Sequence, residues 1–215
     1  MTETANLALP LVEPAQAQKH VTVNEAFARL DGITQLCLES VDETVPPAGA
    51  AEGASWGVPA GASGDWAGRA GHVAVRLAGG WVFVAARRGW RAMVLDIGQT
   101  AIFDGAVWRA GALSLSPGGA GLALRALEMD VSLTAGGSVT APLAFPERAI
   151  AFGVTGRVIE AITGTATAWS LGVPGEPARY GSGLGLPRNS WVDGPGAPVE
   201  IVRDGQRVDL ILMDI

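Results

Sequence analysis

The chain has 215 residues and a formal charge of −6, long enough to bury a core without covalent staples. Lys19 is the only lysine, so no basic stripe is available for the phosphate contacts that dominate nucleic-acid affinity. Cys37 is the only cysteine, which excludes an internal disulfide, and no run of 18 apolar residues or basic leader points to a membrane span or signal peptide.

Residues 1–19 hold two prolines and alternate weakly, as an extended arm would. Leu7, Leu9, Leu11 and Val12 give that arm apolar side chains to lay on a neighbouring subunit or back on its own domain. Thr22 and Glu25 have capping-box spacing and predict a helix over 22–37. Phe27, Leu30, Ile33 or Thr34, and Cys37 form its apolar stripe, with Cys37 read as a buried small hydrophobe. Gly32 weakens that helix by roughly 1 kcal/mol relative to alanine, so the stripe needs a partner to pack against.

From Ala54 the period becomes strand-like. HVAVRL (72–77), WVFVAA (81–86), WRAMVLDI (90–97), TAIF (100–103) and the AVW run ending at Trp108 are predicted strands. Gly79-Gly80 and Asp104-Gly105 supply hairpin turns. A second block, 111–215, offers strands at 121–133, 138–145, 149–155, 157–163, 165–173 and 207–215, with a tight turn at Gly156. Thirty Gly and thirteen Pro, about a fifth of the chain against roughly 12% in ordinary usage, suit many turns between short strands. The expected fold is mainly β: a small helix-backed antiparallel meander over 20–110, then a β-sandwich or jelly-roll-like domain over 111–215.

Motifs for chemistry fail their context tests. Gly53-Ala-Ser55-Trp-Gly57 fits the nucleophile-elbow pattern, but Val58-Pro59 cannot open the required helix and His72 comes too early in the chain. Gly181-Ser-Gly183-Leu-Gly185 lacks the spacing and the βαβ setting of a dinucleotide fingerprint. His20 and His72 stand too far apart for zinc spacing, and no metal or cofactor is expected. Glu128 and Asp130 would share one face of a strand, the arrangement a glycosidase needs, or a solvated edge.

The segment 169–193 gathers Trp169, Arg179, Tyr180, Arg188, Asn189, Trp191 and Asp193 among glycines and prolines. Flat aromatic faces cover the apolar face of a sugar while Arg, Asn and Asp meet its hydroxyls, so these residues are the glycan-binding candidates. The competing reading is that Trp169 and Trp191 plug the ends of a sandwich and Arg188 closes a local charge pair.

PAQAQKHVTVNEAFARLDGITQL (14–36) and the stretch 56–108 resemble the DUF2793 family, phage-related proteins common in alphaproteobacterial prophages and gene transfer agents. The resemblance implies a component of a head spike or tail fibre that engages the host or recipient cell surface. It implies no catalytic residues. It also implies an assembly role for Gln16, Gln18, Lys19, His20, Asn24 and Glu25, with a trimer or pentamer, capsid or other spike and fibre proteins, and cell-surface polysaccharide as partners. The expected location is the particle surface after assembly in the bacterial cytoplasm, and the expected role is a non-enzymatic base or adaptor. A carbohydrate-processing enzyme or independent lectin is the alternative.

Overall fold

The computed structural model describes residues 3–12, 19–133, 137–144, 149–201 and 207–213. The chain divides into two units, 1–126 and 127–215. Most of its regular structure is strand, and α1 (Lys19–Ile33) is the one α-helix among the described residues.

The spacing that predicts a helix over 22–37 is right about its existence and shifted in its ends. Thr22 lies inside α1 and is exposed, so it does not cap the helix. After Ile33 the chain turns through Gln35, whose φ of +52° leaves helical geometry. It then enters β1 (Cys37–Leu38), which pairs in parallel with β5 (Arg91–Val94) further along the chain. Tertiary pairing ends the helix here. On a strand, alternate residues face opposite sides, so Leu38 is buried and Cys37 is exposed, correcting the expectation that Cys37 is a core residue.

The remaining strands of the first unit are β2 (Ser55–Gly57), β3 (His72–Leu77), β4 (Gly80–Ala85), β6 (Gln99–Phe103), β7 (Trp108–Ala110), β8 (Ala112–Leu115) and β9 (Gly121–Ala123). β2, β3 and β4 form one antiparallel sheet, and β1, β5, β6 and β7 a second. The β3–β4 turn is Ala78-Gly79, one residue before the expected Gly79-Gly80. Both residues have φ above zero, as the twist of a two-residue hairpin requires, and the Ala78 amide donates to Glu52 Oε1 at 2.8 Å.

Alternation divides β2 and β3 between two cores. Val73 and Val75 join Leu36, Leu38, Val41, Ala92, Val94 and Ala101. Trp56 and Ala74 face the other way, onto Trp66, Trp81 and Phe83. A short 3₁₀ turn at Gly64–Trp66 delivers Trp66, and Trp81 meets Trp56 and Trp66 edge to face at 5.4 and 5.1 Å. This aromatic cluster accounts for three of the tryptophans crowded into the first half of the sequence. Each fully buried Val or Leu contributes roughly 1.5–3 kcal/mol, more than the roughly 1 kcal/mol of a turn hydrogen bond, so these clusters set the sheet arrangement.

The first unit continues past 110 to residue 126. The β8–β9 hairpin is tied to it through Gly111, whose amide donates to Thr100 and whose carbonyl accepts from Leu124, and through Gln99 Nε2 to the Ala126 carbonyl. Residues 124–133 are irregular, so Glu128 and Asp130 do not share the face of a strand.

The second unit contains β10 (Ser138–Ala144), β11 (Ile150–Arg157), β12 (Ala168–Val173), β13 (Glu176–Leu184), β14 (Trp191–Ile201) and β15 (Arg207–Met213). A four-stranded antiparallel sheet has the order β10-β15-β12-β13, and β11 pairs with β14 as a separate ribbon. Val158, Trp169, Leu171, Val173, Tyr180 and Val192 form the core between these layers, as in a small sandwich. Gly156 lies inside β11, opposite Val192, and is not a hairpin turn. The expected strand over 157–163 is absent beyond Arg157.

Candidate functional site

The arm residues 3–12 fold back on their own unit. Thr4 and Leu9 pair through a 2.9 Å backbone hydrogen bond, which makes the arm a small loop closed on itself. Asp31 fastens that loop. Its carboxylate is 2% exposed and accepts from Thr4 Oγ1 at 2.7 Å, the Asn6 amide at 2.8 Å and the Leu7 amide at 2.7 Å. Asn24 adds a second clasp, with Oδ1 accepting from the Val12 amide at 2.9 Å and Nδ2 donating to the Val12 carbonyl at 3.1 Å.

Of the assembly candidates, Asn24 therefore holds the arm, Leu9 and Leu11 are half-buried, and Leu7 is exposed. Lys19 opens α1, and Glu25 is exposed on it. His20 is half-buried, and its Nδ1 has no hydrogen-bond partner among the described residues. Gln16 and Gln18 lie outside the described residues. Leu7, Val12, Val21, Val23 and Leu30 are large apolar side chains left exposed on the arm and helix. Asp31, the residue that fixes the arm, carries no motif signal; an acid on the apolar side of a predicted helix was the available hint.

The elbow-like serine sits in a strand. Ser55 is buried at the start of β2 and its hydroxyl donates to the Gly32 carbonyl at 3.4 Å, so it opens a strand and does not stand on a strand-to-helix turn. Among the described residues, no three His, Cys, Asp or Glu side chains converge as a metal site would require. No described helix is long and apolar enough to cross a membrane.

The 169–193 candidates separate into core and surface. Trp169 is 6% exposed, with its indole N–H donating to the Gly185 carbonyl at 3.0 Å, and Tyr180 is 5% exposed. Neither has a ring face to offer a ligand. Arg179 is drawn to Glu176, Nη1 to Oε2 at 2.8 Å. Arg188 and Asn189 are exposed in the turn entering β14, where Asn189 takes φ +69° and its amide donates to the Val158 carbonyl at 2.8 Å.

Trp191 is 71% exposed. It stands opposite Arg157 in the β11–β14 ladder, with the guanidinium carbon 5.7 Å from the ring centroid. Two residues along, Thr155 stands opposite Asp193, and the period of two puts all four side chains on one face of the ribbon. Val192 between them points into the core. The result is an open indole with a cation over it and a hydroxyl and a carboxylate beside it. Arg157 and Thr155 were not legible as members of this group, because only strand pairing brings them to Trp191.

No curated protein matches the chain. Residues 23–109, from the first turns of α1 into β7, match the model of a family described as a protein of unknown function, DUF2793.

Proposed function

We propose that this protein is a non-catalytic structural component, a base or adaptor, of the receptor-binding head spike or fibre of a phage-like particle. In this reading it self-associates through the arm and α1 of the first unit, and the Trp191 face of the second unit makes weak contacts with surface glycan. Residues 14–36 and 56–108 resemble phage-related proteins of the family whose model matches 23–109. The observation that carries the reading is that Leu7, Val12, Val21, Val23 and Leu30 are large apolar side chains left exposed on the arm and helix. Asp31 and Asn24 hold the arm in place beside the helix, so these side chains are presented on a fixed support.

The Trp191 face suits a sugar. Its indole covers C–H groups, while Arg157, Thr155 and Asp193 supply donors and acceptors for hydroxyls. Desolvation of those hydroxyls keeps one contact weak, and repetition on an oligomer raises the effective concentration. Electron micrographs of particles made with and without this protein test the assignment. Loss of a surface appendage is the expected result, and unchanged particles overturn it. Trp191→Ala should lower particle adsorption to capsulated cells severalfold with the appendage still present. Normal adsorption would move the glycan contact to another protein.

A further inference from the structure

We propose that a cleft in the first unit, between the turn joining β4 to β5 and the β8–β9 hairpin, binds a small organic carboxylate. Arg88, Gly89, Arg91, Ile102, Ser114 and Leu115 line a space of about 140 Å³. At about 30 Å³ per molecule, that is the room of four or five waters, enough for a carboxylate and the few carbons that carry it.

Among the described residues neither arginine has a carboxylate partner. Arg88 Nη2 donates to the carbonyls of Ser116 and Pro117 at 2.8 and 3.1 Å, which fixes the guanidinium against the hairpin without neutralising it. Its Nη1 and Nε make no hydrogen bond among the described residues. Arg91 has neither a carboxylate nor a hydrogen-bond partner among the described residues, whereas the nearby Arg109 is taken by Asp104 at 2.6 Å. Two uncompensated cations around one cleft, in a chain of net charge −6, favour an anion between them.

The floor selects the kind of anion. Register places Arg91 opposite Ile102 on adjoining strands, and Ile102 is buried. Leu115 adds a second apolar wall, and Ser114, whose Oγ accepts from the Leu122 amide at 3.2 Å, has its hydroxyl proton left to donate. A bare inorganic anion would leave the apolar floor unused. A carboxylate attached to carbon uses both halves: the oxygens meet the guanidinium forks and Ser114, and the carbons lie against the half-buried Leu115. Such a ligand is a free acid or the acid-bearing sugar of a saccharide chain. This site is independent of the Trp191 face and of the reading above.

Titration calorimetry on the full chain at low salt tests it with four probes: sodium glucuronate, glucose, sodium sulfate and an oligosaccharide containing glucuronate. Glucuronate should bind saturably and glucose should not, since the two differ only in the carboxylate. Arg91→Gln should weaken glucuronate by about tenfold or more, and Arg91→Lys should fall between, retaining charge but losing the fork. Arg91 is exposed and has no partner among the described residues, so an unchanged thermal midpoint will show that these variants fold. Tighter binding of the oligosaccharide assigns the site to a saccharide chain, and equal binding assigns it to a free acid; both support the proposal. Equal binding of glucose, sulfate binding as tightly as glucuronate, or an Arg91→Gln protein that binds like the wild type overturns it.

Discussion

Two aspartates show how differently one side chain acts in different surroundings. Asp31 is buried and accepts three hydrogen bonds from the arm, so its removal leaves those donors without partners. Hydrogen bonds to a charged acceptor are worth about 1.5–3 kcal/mol each before cooperativity. Asp31→Ala should therefore destabilise the first unit by roughly 2–4 kcal/mol, and the Asn6 and Leu7 amides should lose protection in hydrogen exchange. Retained protection at those amides would show that the arm is held by other contacts. Asp104 instead organises an exposed turn. Chiefly the Val107 amide, opposed next by burial and then aided by the Ala106 amide and Arg109, holds its carboxyl down to about 2. A depressed carboxyl stabilises the fold above its unfolded value of about 3.9, and that stabilisation is lost as pH falls toward 2. Arg109 is well exposed and its charge is screened, so the effect is modest. Asp104→Ala should cost about 1 kcal/mol at neutral pH, and the gap to wild type should close between about pH 4 and pH 2. Denaturant titrations at stepped pH measure it; a gap that does not change with pH contradicts the assignment.

At the scale of elements, the contact of α1 with β3 turns on Gly32. A Cβ at this position would stand 2.8 Å from one Val75 methyl and 2.9 Å from the other. Propensity alone favours Gly32→Ala by about 1 kcal/mol, but overpacking against a fully buried, β-branched neighbour costs about 1–3 kcal/mol. The substitution should therefore be neutral to destabilising by up to about 2 kcal/mol, and a clear rise in thermal midpoint would show that Val75 yields at little cost. That the helix needs a packing partner at Gly32 is legible in the sequence. The sequence could not name Val75, which is 43 positions away. The same limit explains the ends of α1, since the apolar spacing continues through Cys37 and only the parallel pairing with β5 makes Cys37 extended and exposed. Gly156 follows this pattern too: local chemistry permits a turn, and the ladder with β14 makes it strand.

For the whole molecule, the proposed assembly is open to a direct measurement. Val23 and Leu30 are exposed, so Val23→Asp with Leu30→Asp should leave the fold intact and remove apolar burial worth roughly 25 cal/mol per Å² from any interface they form. Light scattering should give a mass above the monomer for wild type and a lower mass for the double variant. Equal masses across concentrations would place the assembly surface elsewhere. By itself the sequence determined that the protein is mainly β, where most strands of the first unit run, that one helix precedes them, and that residues 14–36 and 56–108 resemble one family. Alternation, Gly and Asp-Gly turns and a motif are local signals, carried by neighbours in the chain. The tertiary structure decided which residues share a surface: Trp169 and Tyr180 enter the core while Trp191 is left outside, Arg157 crosses a ladder to reach it, and Asp31 holds an arm some 25 positions upstream. Burial and cross-strand register depend on which segments pair at long range, and that choice is made by the free energy of the whole core.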